Sequence, residues 1–417
     1  MMLCLGGIKS AASQSASLIC YRHLFTSFRK QTTPHRISVF RHYLSKRHLI
    51  SVSLKTRFLN LSVDQKSRIV GYWLLGCCGL VATTVSVGGV TRLTESGLSM
   101  TDWEFAGRRA PNSAEEWEVE FDKYKASPQW KYLVCHSGMT LNEFKFIWFM
   151  EWGHRHLGRV IGTCVVFPTL ALLTRPWLSG NLKARLAGFS SLVVFQGFLG
   201  WYMVKSGLED KPDSHDIPRV SQYRLAAHLG SAFVLYLSMF KTSLDILLPV
   251  QHSMSPALQK IRKWSGGVAG LAFITALSGA FVAGLDAGLV YNSYPKFADR
   301  WIPEDLIVFS PTWKNFFENT TTVQFDHRFL GHSLLLGICV VWLMSRPLVL
   351  PRRAHIATQA LMGMGWMQVG LGVSTLLLHV PTWLAATHQQ GSLILLTIAT
   401  WLYHELGKKK VKLFKKI

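Results

Sequence analysis

Charge is what this chain of 417 residues has least of. Asp, Glu, Lys and Arg make up 16% of it, against roughly 25% in soluble proteins. With 49% hydrophobic residues, disorder and coiled coil are excluded. Acidic residues are scarcer than basic ones, 23 against 45, and none precedes Asp64. Cysteine is sparse too. The seven, Cys4, Cys20, Cys77, Cys78, Cys135, Cys164 and Cys339, form no CxxC pair, so neither a zinc or redox motif nor a disulfide framework is expected. The formal net charge of +22 would suggest nucleic acid if it lay on a folded face. Instead ten of the bases fall in the acid-free stretch 1–63 and six lysines fall in the tail 408–417. No nucleic-acid partner is expected.

What is present is a leader followed by long apolar runs. Residues 1–63 hold ten Lys or Arg and ten Ser without one acid, the composition of a mitochondrial transit peptide. Beyond it, Ile69–Val90, Leu186–Val204, Trp264–Leu285 and Ile356–Val380 each supply the roughly 20 uncharged residues a membrane helix needs. Phe146–Thr174, Leu225–Leu248, Phe325–Ser345 and Trp383–Leu402 are apolar with polar residues near their ends. Bases follow the second, fourth, sixth and eighth runs, while Thr91–Phe144 and Asp286–Asp326 are acidic. By the positive-inside rule this predicts eight spans with both termini in the mitochondrial matrix, in the inner membrane among lipid.

The runs repeat. The second carries His154–Gly158 (HRHLG) and the sixth His327–Gly331 (HRFLG). The third carries Gln196–Gly200 (QGFLG) and the seventh Gln368–Gly372 (QVGLG); the fourth has Leu225–His228 (LAAH) and the eighth Leu384–His388 (LAATH). Ser96–Leu98 and Ala287–Leu289 close the first and fifth. Four matches in one order predict an all-α membrane protein of two four-helix bundles in parallel repeat, over 64–248 and 249–407, with a basic matrix tail at 408–417. An even number of helices per half separates this from inverted-repeat transporters.

His154, His228, His327 and His388 then enter their helices from the same side at similar depth. Burying an imidazole in a membrane is costly unless it is used. Zinc wants four protein ligands, and copper would want Met or Cys partners that are missing at ligand spacing. Haem brings its own four nitrogens and needs one or two axial ligands, so two histidines per bundle point to iron held by His154, His228, His327 and His388. Gly158, Gly162, Gly197, Gly200, Gly230, Gly331, Gly370, Gly372 and Gly391 would let a flat macrocycle approach, or simply let helices pack. Arg155 and Arg328 are candidate propionate contacts; lipid headgroups are the other reading. His156, His332 and His379 are expected not to be ligands.

The halves differ at one chemical position: Glu151 stands where the repeat has Gln324. A carboxylate beside a haem can act as base or stabilise positive charge, so the amino-terminal half reads as the reaction site and the carboxy-terminal half as an electron-holding site. The alternatives are an Arg155 partner for Glu151, and a non-catalytic two-haem b-type protein that only moves electrons.

These residues resemble the haem A synthase family, in its eukaryotic branch. The resemblance runs from about Ser67 to Leu406 and includes Gly89–Met100 (GVTRLTESGLSM), Lys205–Leu208 (KSGL), Ser214–His228 (SHDIPRVSQYRLAAH), Gly279–Leu289 (GAFVAGLDAGL), Gln324–Arg328 (QFDHR) and Ala386–Gln389 (ATHQ). It implies oxidation of a ring methyl of haem O to a formyl group, giving haem A for cytochrome c oxidase. By the same resemblance His154 and His228 would flank substrate haem O, Glu151 would be catalytic, and His327 and His388 would ligate a resident haem B. Partners so implied are a ferredoxin electron donor, haem O synthase and cytochrome c oxidase assembly factors; self-association into a homo-oligomer stays open. Many bacterial members carry a Cys pair in the first outer loop, where this chain has only Cys135, so thiol exchange there is not expected.

Overall fold

The structure is a computed structural model. It describes residues 61–135, 137–209, 219–250, 255–407 and 413–414. The leader reading at 1–63 therefore lies almost wholly outside the described residues, as does the tail apart from Leu413 and Phe414. The chain divides into a first unit, Met1–Lys66, and a second, Ser67–Ile417. The second carries the architecture described here.

Eight long helices dominate: α1 (Val63–Leu93), α2 (Leu141–Leu173), α3 (Gly180–Gly207), α4 (Gln222–Leu247), α5 (Pro256–Gly284), α6 (Thr320–Ser345), α7 (Arg352–Leu377) and α8 (Thr382–Glu405). Among the described residues there is no strand, only two isolated bridges. Six helices, α1, α2, α3, α5, α6 and α7, are long and apolar enough to cross a membrane, which makes this a multi-pass membrane protein. The sequence expectation was eight. α4 and α8 fall outside that six because polar groups interrupt them: Arg224, His228, Lys241 and Asp245 on α4, and His388, Gln389, Gln390, His404 and Glu405 on α8. Both pack among the others nonetheless, α8 against α4, α5 and α7, and α4 against α3, α5 and α8.

The helix starts follow local chemistry. α2 begins at Leu141, ahead of the expected Phe146, because Thr140 and Glu143 form a reciprocal capping box there. Ser179 and Ser255 cap α3 and α5 through their hydroxyls. The extra turns of α2 are not left bare. A loop helix, Ala114–Lys125, lays Trp117, Phe121 and Tyr124 on Phe144, Ile147 and Trp148, with ring centroids 5.2 Å apart for Trp117–Trp148 and 4.9 Å for Phe121–Phe144.

Contacts sort the helix ends into two groups. At one end Arg185 at the start of α3 and His404 at the end of α8 both meet Asp245 near the end of α4, and Arg353 at the start of α7 meets Glu405. The Leu413–Phe414 segment returns to the α2–α3 turn at the same end, stacking Phe414 on Trp177. At the other end Arg92, closing α1, bonds Asp286 just past α5, and Tyr223 at the start of α4 bonds Glu318 ahead of α6. Consecutive helices therefore alternate in direction, which brings the early turns of all the even-numbered helices to one end.

Candidate functional site

α1 and α5 finish in the same way. Glu95 and Asp286 both take the left-handed conformation, φ 53° and 54°, and each leads into a short 3₁₀ turn, Ser96–Leu98 and Ala287–Leu289. Each turn is clasped from the following even helix. Glu151 on α2 accepts from Ser99 Oγ at 2.8 Å and from the Met100 amide at 2.7 Å through Oε2. Gln324 on α6 donates instead, through Nε2, to the carbonyls of Ala287 at 2.8 Å and Tyr291 at 3.2 Å. A carboxylate only accepts and an amide also donates, so one clasp is the polar inverse of the other. Both side chains are buried, 2% and 3% exposed.

The adjacent arginines complete each clasp. Arg155 Nη2 meets Glu151 Oε1 at 2.5 Å and the Met100 carbonyl at 2.8 Å, while Nη1 donates to Asp102 O at 2.8 Å and the guanidinium lies over Trp103. Arg328 Nη2 donates to Tyr291 O at 2.8 Å and Gln324 Oε1 at 3.1 Å, and its guanidinium lies over Phe297. The pairing of Glu151 with Arg155, one of the two sequence readings, is thus present. Neither arginine is idle; a propionate contact would have to share or replace these bonds. Tyr291, in the loop, donates its phenol to Asp305 at 3.1 Å, and burial together with that carboxylate pushes the phenol upward.

Four histidines follow on the even-numbered helices, His154 and His327 three residues past the clasp residues Glu151 and Gln324. His327 and His388 face each other with centroids 6.3 Å apart and planes at 87°. His154 and His228 lie within electrostatic range of each other. Every ring is backed by a glycine of the preceding helix. A Cβ placed on Gly88 would sit 2.7 Å from His154 Cε1, on Gly279 3.1 Å from His327 Cε1, on Gly200 3.5 Å from His228 Cε1, and on Gly372 2.9 Å from His388 Cε1. Gly88 and Gly279 were not among the glycines singled out from sequence. Of those that were, Gly158, Gly162, Gly197, Gly331 and Gly370 meet nothing within 4 Å, so tight helix packing does not explain them. Gly230 abuts Leu277, and Gly391 abuts Gln368.

The α3 and α7 glutamines tie these helices to their neighbours. Gln196 Nε2 donates to His228 O at 3.1 Å, and Gln368 Nε2 to His388 O at 2.7 Å. Gln389, beside His388, reaches α1 and donates to Val85 O at 3.0 Å. His156 and His332 are spent on carbonyls of their own helices, Trp152 O and Arg328 O, and His379 is exposed.

The donor set can be tested against a metal group. Among the described residues no cluster of three or more His, Cys, Asp or Glu side chains could hold a bare ion. His154, His228 and His388 each bury Nδ1 without a hydrogen bond, and all four residues keep some accessible surface. Two imidazoles backed by glycine suit a group that supplies its own equatorial donors, and they do not suit zinc.

Comparison with known proteins identifies the family. A family model, COX15-CtaA, described as cytochrome oxidase assembly protein, matches residues 71–400. The chain belongs to that family. Relatives of the COX15-CtaA family include heme A synthase COX15 of Bos taurus, 58% identical over 362 residues, 86% of this chain and 87% of the relative. The same-named protein of Saccharomyces cerevisiae is 41% identical over 373 residues, covering 82% and 76%. Heme A synthase of Nitrosospira multiformis is 44% identical over 361 residues, covering 85% and 99%. The matched residues, 71–400, contain both clasps and all four histidines.

Proposed function

We infer that this chain is a haem A synthase, an oxidoreductase that converts the ring methyl of haem O to the formyl group of haem A for cytochrome c oxidase. The observation that carries this reading is family membership, with relatives 41% to 58% identical over 82% to 86% of the chain, joined to a glycine-backed histidine pair in each sequence half. His154 and His228 would hold the substrate haem O, and His327 and His388 a resident haem B. When bound, haem B supplies one-electron redox chemistry.

The chain's own contributions follow from the site. His154 and His228 orient the substrate's iron, and with it the macrocycle, against Gly88 and Gly200. Glu151 would hold a negative charge one helical turn from His154. In a site shielded from water that charge stabilises positive charge developing on the substrate more than it would in bulk water. The clasp to Ser99, Met100 and Arg155 fixes where it sits. Gln324, neutral and equally clasped, gives the other half the same shape without charge.

The wider setting belongs to the same proposal. α4 and α8 would cross the membrane with the other six, as two parallel-repeat bundles over 64–248 and 249–407. The leader at 1–63 would address the chain to the mitochondrial inner membrane, with both termini in the matrix. Electrons would come from a ferredoxin, and haem O from its synthase.

The test is haem extraction and chromatography on the purified protein. One resident haem B with a smaller amount of haem O or haem A is expected. Two equivalents of a single haem, with no oxidised product, would instead identify an electron carrier.

A further inference from the structure

The halves differ at a second position, beside the histidines themselves. Ser278 on α5 has its Oγ 2.7 Å from His327 Nδ1 and also 2.7 Å from the carbonyl oxygen of Thr275. A hydroxyl has one proton to give. Two oxygens at 2.7 Å with no proton between them would repel, so the Ser278 proton belongs on Thr275 O. Toward His327 the hydroxyl can then only accept. His327 must carry its proton on Nδ1, which leaves the Nε2 lone pair free for a metal. The spacing that relates Gly88 to Gly279 and Glu95 to Asp286 relates Val87 to Ser278. A valine offers nothing to a ring nitrogen; the Thr84 carbonyl faces His154 as the Thr275 carbonyl faces His327, but it makes no hydrogen bond to His154 Nδ1, which stays buried without one.

We propose that Ser278 is a positioning residue that locks His327 into its ligating tautomer and so makes the carboxy-terminal half the permanent haem site, whereas His154, beside Val87, has no hydroxyl to lock it and suits a haem that must enter and leave. This rests on the assignment of haem B to His327 and His388. A histidine ligand that donates its second N–H to an oxygen is oriented and made more basic, and losing such a partner costs about 10- to 100-fold in metal affinity. His388 is faced by the Gln368 backbone and by no hydroxyl, and its Nδ1 makes no hydrogen bond, so the lock acts through one ligand of the pair.

The experiment uses the purified full-length protein with its natural haem. Haem release to excess apomyoglobin and the midpoint potential of the low-spin haem are measured for wild type, Ser278→Val, Ser278→Ala, Ser278→Thr and Val87→Ser. Ser278→Val and Ser278→Ala should release the resident haem roughly tenfold faster or more and move its potential upward, because a less basic imidazole favours the ferric state less. Ser278→Thr keeps the oxygen and should restore both. Val87→Ser should slow haem loss from the amino-terminal half. His327→Ala serves as the control. If it leaves the bis-imidazole spectrum unchanged, the ligand assignment fails and this proposal with it. If the spectrum depends on His327 but Ser278→Val and Ser278→Ala match wild type in release and potential, the tautomer lock alone is overturned.

Discussion

The turn after α1 and the turn after α5 reach the same backbone shape by opposite means. One is clasped by a carboxylate that accepts from Ser99 and Met100, the other by an amide that donates to Ala287 and Tyr291. The left-handed residues Glu95 and Asp286 differ by one degree in φ. Holding this turn therefore does not require a charge, since Gln324 does it without one. A buried carboxylate is costly even when paired, and a neutral solution is available in the same molecule. The charge on Glu151 is thus better explained by what happens beside His154 than by the shape of the turn.

The largest effect expected on this comparison comes from the histidines. His327→Ala or His388→Ala should remove the resident b-type spectrum, while His154→Ala or His228→Ala should leave it and abolish haem A formation; absorbance spectra of the purified variants check this. Next is Glu151→Ala, which leaves the buried Arg155 with the Met100 and Asp102 carbonyls but no countercharge. Breaking such a pair costs about 3–5 kcal/mol, so thermal unfolding should fall well below that of wild type, and further than for Gln324→Ala, which leaves Arg328 with Tyr291 O. The backing glycines should grade their effects by the space they leave. Gly88→Ala and Gly372→Ala intrude on a ring at under 3 Å, Gly279→Ala at 3.1 Å, and Gly200→Ala reaches ordinary contact at 3.5 Å. Haem occupancy should fall in that order and be nearly normal for Gly200→Ala. Gln324→Glu should be mildest for chemistry: it sets a carboxylate against the Ala287 and Tyr291 carbonyls and so should cost stability, but no reaction is assigned there, and haem A formed per folded molecule should stay near wild type.

Much of this was legible in the sequence, and particular residues show why. The H-R-x-L-G repeat placed His154 and His327, and the offset it defines exposed Glu151 opposite Gln324. The reach of α2 was only partly legible: its charge-free part was too short, but the capping box that sets its start at Leu141 lies in a loop rich in acids. α4 and α8 were read as spans from their apolar runs, and their interior polar groups keep them outside the six that meet a plain length-and-hydropathy test. The glycine cradles were half legible. Gly200 and Gly372 stand out within repeated motifs, whereas Gly88 and Gly279 sit at the edge of conspicuous runs without a repeat of their own, and only packing shows which ring they face. Ser278 was silent for a different reason. A serine in an apolar helix usually bonds its own backbone, and nothing in the chain order shows that His327 lies across from it.

The central claim is that the charge on Glu151, and not its shape, serves the reaction. Glu151→Gln removes the charge while keeping size, and its amide oxygen can still accept from Ser99 and Met100. The measurement is haem chromatography on cells that lack the native protein and express this variant. The account predicts normal haem binding, no haem A, and accumulation of haem O or its hydroxylated intermediate. Near-normal haem A from Glu151→Gln would contradict it and leave Glu151 as the partner of Arg155.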